Sequence, residues 1–132
     1  MATMHLEVVS AEQHVLSAEV TELYARSVEG EIGILPGHQP ALIGLDIGSV
    51  RAVLEDGTRA TIAVHRGMLF VDRDNKVVVL ADVAELSDDI DVERARTRRE
   101  RILAELETHE NDAALKVSLR KQELRLDIAA NG

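Results

Sequence analysis

Val50-Arg51-Ala52-Val53-Leu54-Glu55-Asp56-Gly57-Thr58-Arg59-Ala60-Thr61-Ile62-Ala63-Val64 is the stretch that decides the fold class. Val50, Ala52 and Leu54 alternate with Arg51 and Glu55; Ala60, Ile62 and Val64 alternate with Arg59 and Thr61. Successive side chains of an extended chain point to opposite faces, so this period of two buries one set and wets the other. Asp56-Gly57 between the runs suits a tight hairpin turn, because glycine tolerates the positive φ required there. The same grammar extends both ways. Upstream, Met4, Leu6 and Val8 alternate with His5 and Glu7, and Val15–Val28 holds strand-like stretches around Ala18 and Leu23. Downstream, Asp72-Arg73-Asp74-Asn75 separates Met68–Val71 from Lys76–Ala81. Many short strands at this spacing predict a sandwich or a barrel.

The grammar changes near Leu86. Seven of the eight glycines, both prolines, Tyr24 and Phe70 lie before it, whereas nine of the fifteen basic residues lie after it. Such a shift predicts two domains, 1–86 and 87–132. Asp91 to Leu106 contains neither Gly nor Pro, and Val92, Ala95, Ile102, Leu103 and Leu106 recur at helical spacing. Asp88, Asp89 and Asp91 crowd the start, where negative charge suits the helix dipole. Thr108–Asp112 breaks the pattern, and a second helix runs from Ala113 to about Ile128, with Leu115, Leu119 and Leu126 on one stripe. The short break makes the pair an antiparallel hairpin. Two helices with narrow apolar stripes are marginal alone, so the hairpin needs a surface to lie on.

The totals narrow the function. A net charge of −9 argues against a general nucleic-acid binder. No apolar run approaches the roughly 20 residues that span a bilayer, and the first residues lack the pattern of a signal peptide; membrane contact is expected only through a partner. There is no P-loop, no nucleophile elbow and no metal-ligand spacing among His5, His14, His38, His65 and His109. Glu31 and His38 offer an acid–base pair in principle, but no nucleophile or cofactor motif accompanies them, so no enzyme is expected and no cofactor is required.

Glu29-Gly30-Glu31-Ile32-Gly33-Ile34-Leu35-Pro36-Gly37-His38-Gln39-Pro40 reads as a turn, a very short strand and a rigid Pro-Gly loop. It closely resembles a signature of the epsilon subunit of bacterial F-type ATP synthases. The resemblance continues through His5–Gln13 and Val79–Glu85 and into Ile90–Ala95. It implies an α+β, mainly β fold: a flattened sandwich of about ten strands followed by a two-helix hairpin. It also implies a non-catalytic rotor subunit of a proton-translocating synthase, peripheral on the cytoplasmic face of the cell membrane. Its partners would be the gamma subunit, the c ring (through Glu31 and His38) and, through the hairpin, the alpha/beta catalytic head.

In the family the hairpin either folds down or extends to block ATP hydrolysis. Some members bind ATP as a regulatory ligand through Ile/Leu-Asp-x-x-Arg-Ala, which Ile90-Asp91-Val92-Glu93-Arg94-Ala95 matches. By that resemblance Glu85, Ile90, Asp91, Arg94, Ala95 and Arg101 form an ATP site, joined from the second helix by Arg120 and Arg125. Arg94, Arg98 and Arg101 share one helix face by their spacing alone. The competing reading is a free-standing nucleotide sensor, with the sandwich as scaffold and the hairpin as lid.

Overall fold

The computed structural model describes residues 2–131. Seven strands come first: β1 (Met4–Ser10), β2 (His14–Ser27), β3 (Gly30–Ile34), β4 (Ala41–Leu54), β5 (Arg59–Val71), β6 (Lys76–Ala81) and β7 (Ala84–Leu86). A 3-10 turn over Ser87–Asp89 leads to α1 (Val92–Leu106) and α2 (Ala113–Asn131). β1 pairs with β2 on one side and with β6 on the other, so β1, β6, β5, β4 and β2 close into a ring. β3 and β7 are short additions to β2 and β5. Closure leaves few free edges for stray pairing.

The chain is thus the expected mainly-β sandwich followed by two helices. Its short strands appear as seven because β2, β4 and β5 run unbroken for 14, 14 and 13 residues, about twice the usual length. Ala18 and Leu23 accordingly share one strand, which moves from β1 to β3 and β4 beyond Val20. The turns fall where the sequence puts them. Gly57 has φ 89°, and Asp72 closes the β5–β6 turn by accepting from the backbone of Asp74 and Lys76.

One core fills the ring, built from Leu6, Val8, Val20, Leu23, Val50, Ile62, Leu69 and Val79 among others. The inward set changes parity along β4 and β5. Val50, Ala52, Ile62 and Val64 face in on one side of Asp46 and Arg66; Leu45, Leu69 and Val71 face in on the other. Arg66, with φ 66°, is the residue that shifts the alternation. The outer face of the sheet is therefore divided as well. On one half, Ala63 meets Ile90 and Ile128, flanked by Val92 and Leu124, and this seam seats α2. On the other, Leu42, Met68, Phe70 and Leu80 remain exposed, neighbours by register, with Val28 beside Gly44.

Candidate functional site

The hairpin lies on the sandwich through α2, and α1 packs chiefly on α2. Among the described residues, two ion pairs cross from α2 to the strands. Arg120 Nη2 reaches Asp46 Oδ2 at 3.1 Å, and Arg125 Nε donates to Glu85 Oε1 at 2.6 Å. The second sits deeper. His65 on β5, 2 % exposed, has Nε2 3.4 Å from the same Glu85 oxygen. With its proton on Nε2 the imidazole donates to Glu85, leaving buried Nδ1 without a partner among the described residues. Gln122 Oε1 accepts from Arg125 Nη1 at 3.1 Å. A chain of contacts thus runs from the sheet through Glu85 to α2.

His65 and Arg125 together hold the Glu85 carboxyl down to about 2, against burial, which pushes it up. The Arg125 contact is shorter and carries a permanent charge, so its loss costs more. Asp46 is also held below the usual carboxylate range: burial pushes it up, and the Ile47 amide and Arg120 more than offset this.

Beside this chain lies a cleft of about 440 Å³ lined by Glu12, Glu85, Asp91, Arg94, Ala95, Arg98, Gln122 and Arg125. The structure therefore brings together five of the residues expected for an ATP site: Glu85, Asp91, Arg94, Ala95 and Arg125. It places the other three elsewhere. Ile90 is buried in the seam under α2. Arg101 lies on an adjoining depression along α1. Arg120 is engaged with Asp46. Glu12, Arg98 and Gln122 are additions. Arg98 was visible on the basic face of α1, whereas a glutamine facing inward from a helix gives no sequence signal.

Asp91 has a structural duty first. Its Oδ1 accepts from the Arg94 backbone N–H at 3.0 Å and caps α1. Asp91→Ala is expected to cost about 1 kcal/mol and to fray the first turn, while Asp91→Asn retains most of the cap. Thermal unfolding of the two variants measures this, and equal stability of both would remove the capping role.

Glu31 and His38 are not brought together. Glu31, on β3, pairs with Arg51 and lines a groove that Arg120, Glu123 and Asp127 of α2 also border. His38 hydrogen-bonds the Gln39 carbonyl through Nδ1 at 2.7 Å. Its loop is tied to the β5–β6 turn by Gly37 N–H donating to Asn75 Oδ1 at 2.7 Å.

Residues 3–87 match the family model described as the beta-sandwich domain of the ATP synthase delta/epsilon chain. The chain belongs to this family. ATP synthase epsilon chains are similar to it over nearly their whole length. That of Streptomyces coelicolor is 40% identical over 98% of this chain and 97% of its own, and that of Halalkalibacterium halodurans is 37% identical over 98% of each. Epsilon chains are accessory subunits, and the chain is accordingly no enzyme in its own right. Among solved structures, a chain of the Euglena gracilis mitochondrial ATP synthase (OSCP/F1/c-ring) superposes with a TM-score of 0.72 at 23% identity, covering 98% of this chain and 79% of that one. A chain from the central stalk and c-ring of the Tetrahymena thermophila enzyme gives 0.55 at 14%; both show the shared fold. No helix among the described residues is long and apolar enough to cross a membrane.

Proposed function

We propose that this epsilon chain is a rotor subunit that joins the gamma subunit to the c ring and brakes ATP hydrolysis with its hairpin. In this reading it is peripheral on the cytoplasmic face of the membrane, and the synthase it serves translocates protons. The observation that carries the proposal is how lightly the hairpin is held. Ile90 and Ile128 are the large buried side chains of the seam, each worth roughly 1.5–3 kcal/mol. The clasp of half-exposed Arg120 to Asp46 adds at most about 1 kcal/mol, and the more buried pair of Arg125 with Glu85 about 1–3 kcal/mol. Ordering the helices offsets part of that. A binding partner of micromolar affinity supplies about 8 kcal/mol, and reversing a 1:99 equilibrium takes about 5.5 kcal/mol. Binding to the alpha/beta head can therefore draw the hairpin away from the sandwich, which is what a two-state brake requires.

The exposed strip of Leu42, Met68, Phe70 and Leu80 suits a permanent apolar partner, for which gamma is the candidate. It also argues against a free-standing sensor, which would leave the strip in water. The braced loop carrying His38 is the proposed contact with the c ring, with Glu31 on β3 as a separate contact. ATP is the proposed ligand of the cleft, where it would bridge β7, α1 and α2 and favour the folded-down hairpin.

Titration of the chain into a gamma-containing catalytic head tests the brake. The full chain is expected to slow ATP hydrolysis and a chain ending at Leu86 to bind without slowing it. Equal rates with both would leave no braking role for the hairpin, and failure of either to bind gamma would remove the rotor assignment.

A further inference from the structure

We infer that Arg98 is a polyphosphate-binding residue of the cleft, setting its preference for a nucleoside triphosphate over a monophosphate. This rests on the nucleotide reading above and concerns how the ligand lies. The cleft does not end at Arg94. A second depression of about 420 Å³, lined by Asp91, Glu93, Arg94, Thr97, Arg98 and Arg101, continues along the side of α1. The two share Asp91, Arg94 and Arg98, so Arg98 stands where one opens into the other.

The charges of the two parts differ. In the cleft, Glu12, Glu85 and Asp91 face Arg94, Arg98 and Arg125, and the deepest pair, Glu85 with Arg125, is already satisfied. Along the ledge, Arg94, Arg98 and Arg101 outnumber Asp91 and Glu93. Glu93 is tied to Arg96, and Asp91 is occupied as the helix cap. A nucleotide placed to match this field puts its uncharged nucleoside in the balanced cleft and its phosphates over the ledge. Arg98 is half-buried and, among the described residues, has no carboxylate partner. A guanidinium so placed offers paired donors to phosphate oxygens. Gln122, 5 % exposed and fixed through its oxygen by Arg125, forms the floor at the nucleoside end.

Calorimetric titration of the full chain with ATP and with AMP, for wild type and Arg98→Ala, tests the inference. Alanine is the best helix former, so α1 survives the change; circular dichroism checks this. The expected result is a loss of ATP affinity of about 10- to 100-fold, with AMP affinity nearly unchanged and Arg98→Lys recovering part of the loss. An unchanged ATP affinity, or an equal loss for ATP and AMP, overturns the role of Arg98 while leaving the nucleotide site in place. A wild type that binds neither ligand overturns both.

Discussion

Gly67→Ala is expected to destabilise the chain by about 3 kcal/mol or more, a large share of the roughly 5–15 kcal/mol that holds a domain of this size together. Gly67 lies next to Arg66, where β5 leaves one face of the core for the other, and pairs with Leu45 and Ala81. A Cβ added there would lie 2.2 Å from the Leu80 carbonyl oxygen and 2.8 Å from Ala81 Cα. Both obstacles are backbone atoms in the next strand, so no rotamer change relieves the clash. Either β6 moves, breaking the closure of the ring through β1, or the crossover reverts and turns Leu69 and Val71 outward. Gly44→Ala is the control: its Cβ meets only Val28 side-chain atoms at 3.7 Å, an ordinary contact, and a change below about 1 kcal/mol is expected. Urea unfolding of the two variants decides the matter. A Gly67→Ala protein within 1 kcal/mol of wild type would mean that the crossover is not the rigid point described.

That crossover also marks the limit of what the sequence reveals. Alternation around Val50–Val64 and the Asp56-Gly57 turn suffice to find the strands, because both are local effects of side-chain direction and backbone freedom. The inversion at Asp46 and Arg66 is not local. It is set by the need of β4 and β5 to face one core with both halves, and it rests on an arginine in a conformation usually left to glycine. The helices repeat the lesson. Asp91 announces α1 by its chemistry, but the stripe of Leu115, Leu119 and Leu126 is only half-buried, while Gln122 and Ile128 are the buried positions of α2. A helix that must meet a sheet on one side and a second helix on another has no single apolar stripe to display. The cleft was partly legible for the same reason. Asp91, Arg94 and Ala95 belong to one local motif, whereas the choice of Arg125 over Arg120 and the presence of Arg98 depend on how the hairpin crosses the sheet.

The Glu85 carboxylate, held by His65 of the sheet and by Arg125 of α2, should make the hairpin's hold sensitive to acid. The Glu85 carboxyl is held at about 2 in the folded chain against 4.5 for an ordinary glutamate, worth at most about 3 kcal/mol and divided between His65 and Arg125. Because the folded value is the lower one, this stabilisation is complete above about pH 5. It is lost as protons bind between there and about pH 2. Glu7, Asp46 and Asp56 are also held low, so the whole chain weakens in acid, and only a comparison isolates the latch. Glu85→Gln keeps the size and one acceptor but not the charge, leaving the partly buried Arg125 guanidinium underpaired. The variant is expected to be about 1–3 kcal/mol less stable than wild type at pH 7, with the gap closing towards pH 3. Hydrogen exchange should show the difference first in α2, which carries Arg125, and least in the core strands. Parallel losses in wild type and variant from pH 7 to pH 3 would show that Glu85 bears none of the acid sensitivity. The hairpin's hold would then rest on the Ile90 and Ile128 seam, which pH does not reach, and on the half-exposed Arg120–Asp46 clasp as its remaining acid-sensitive contact.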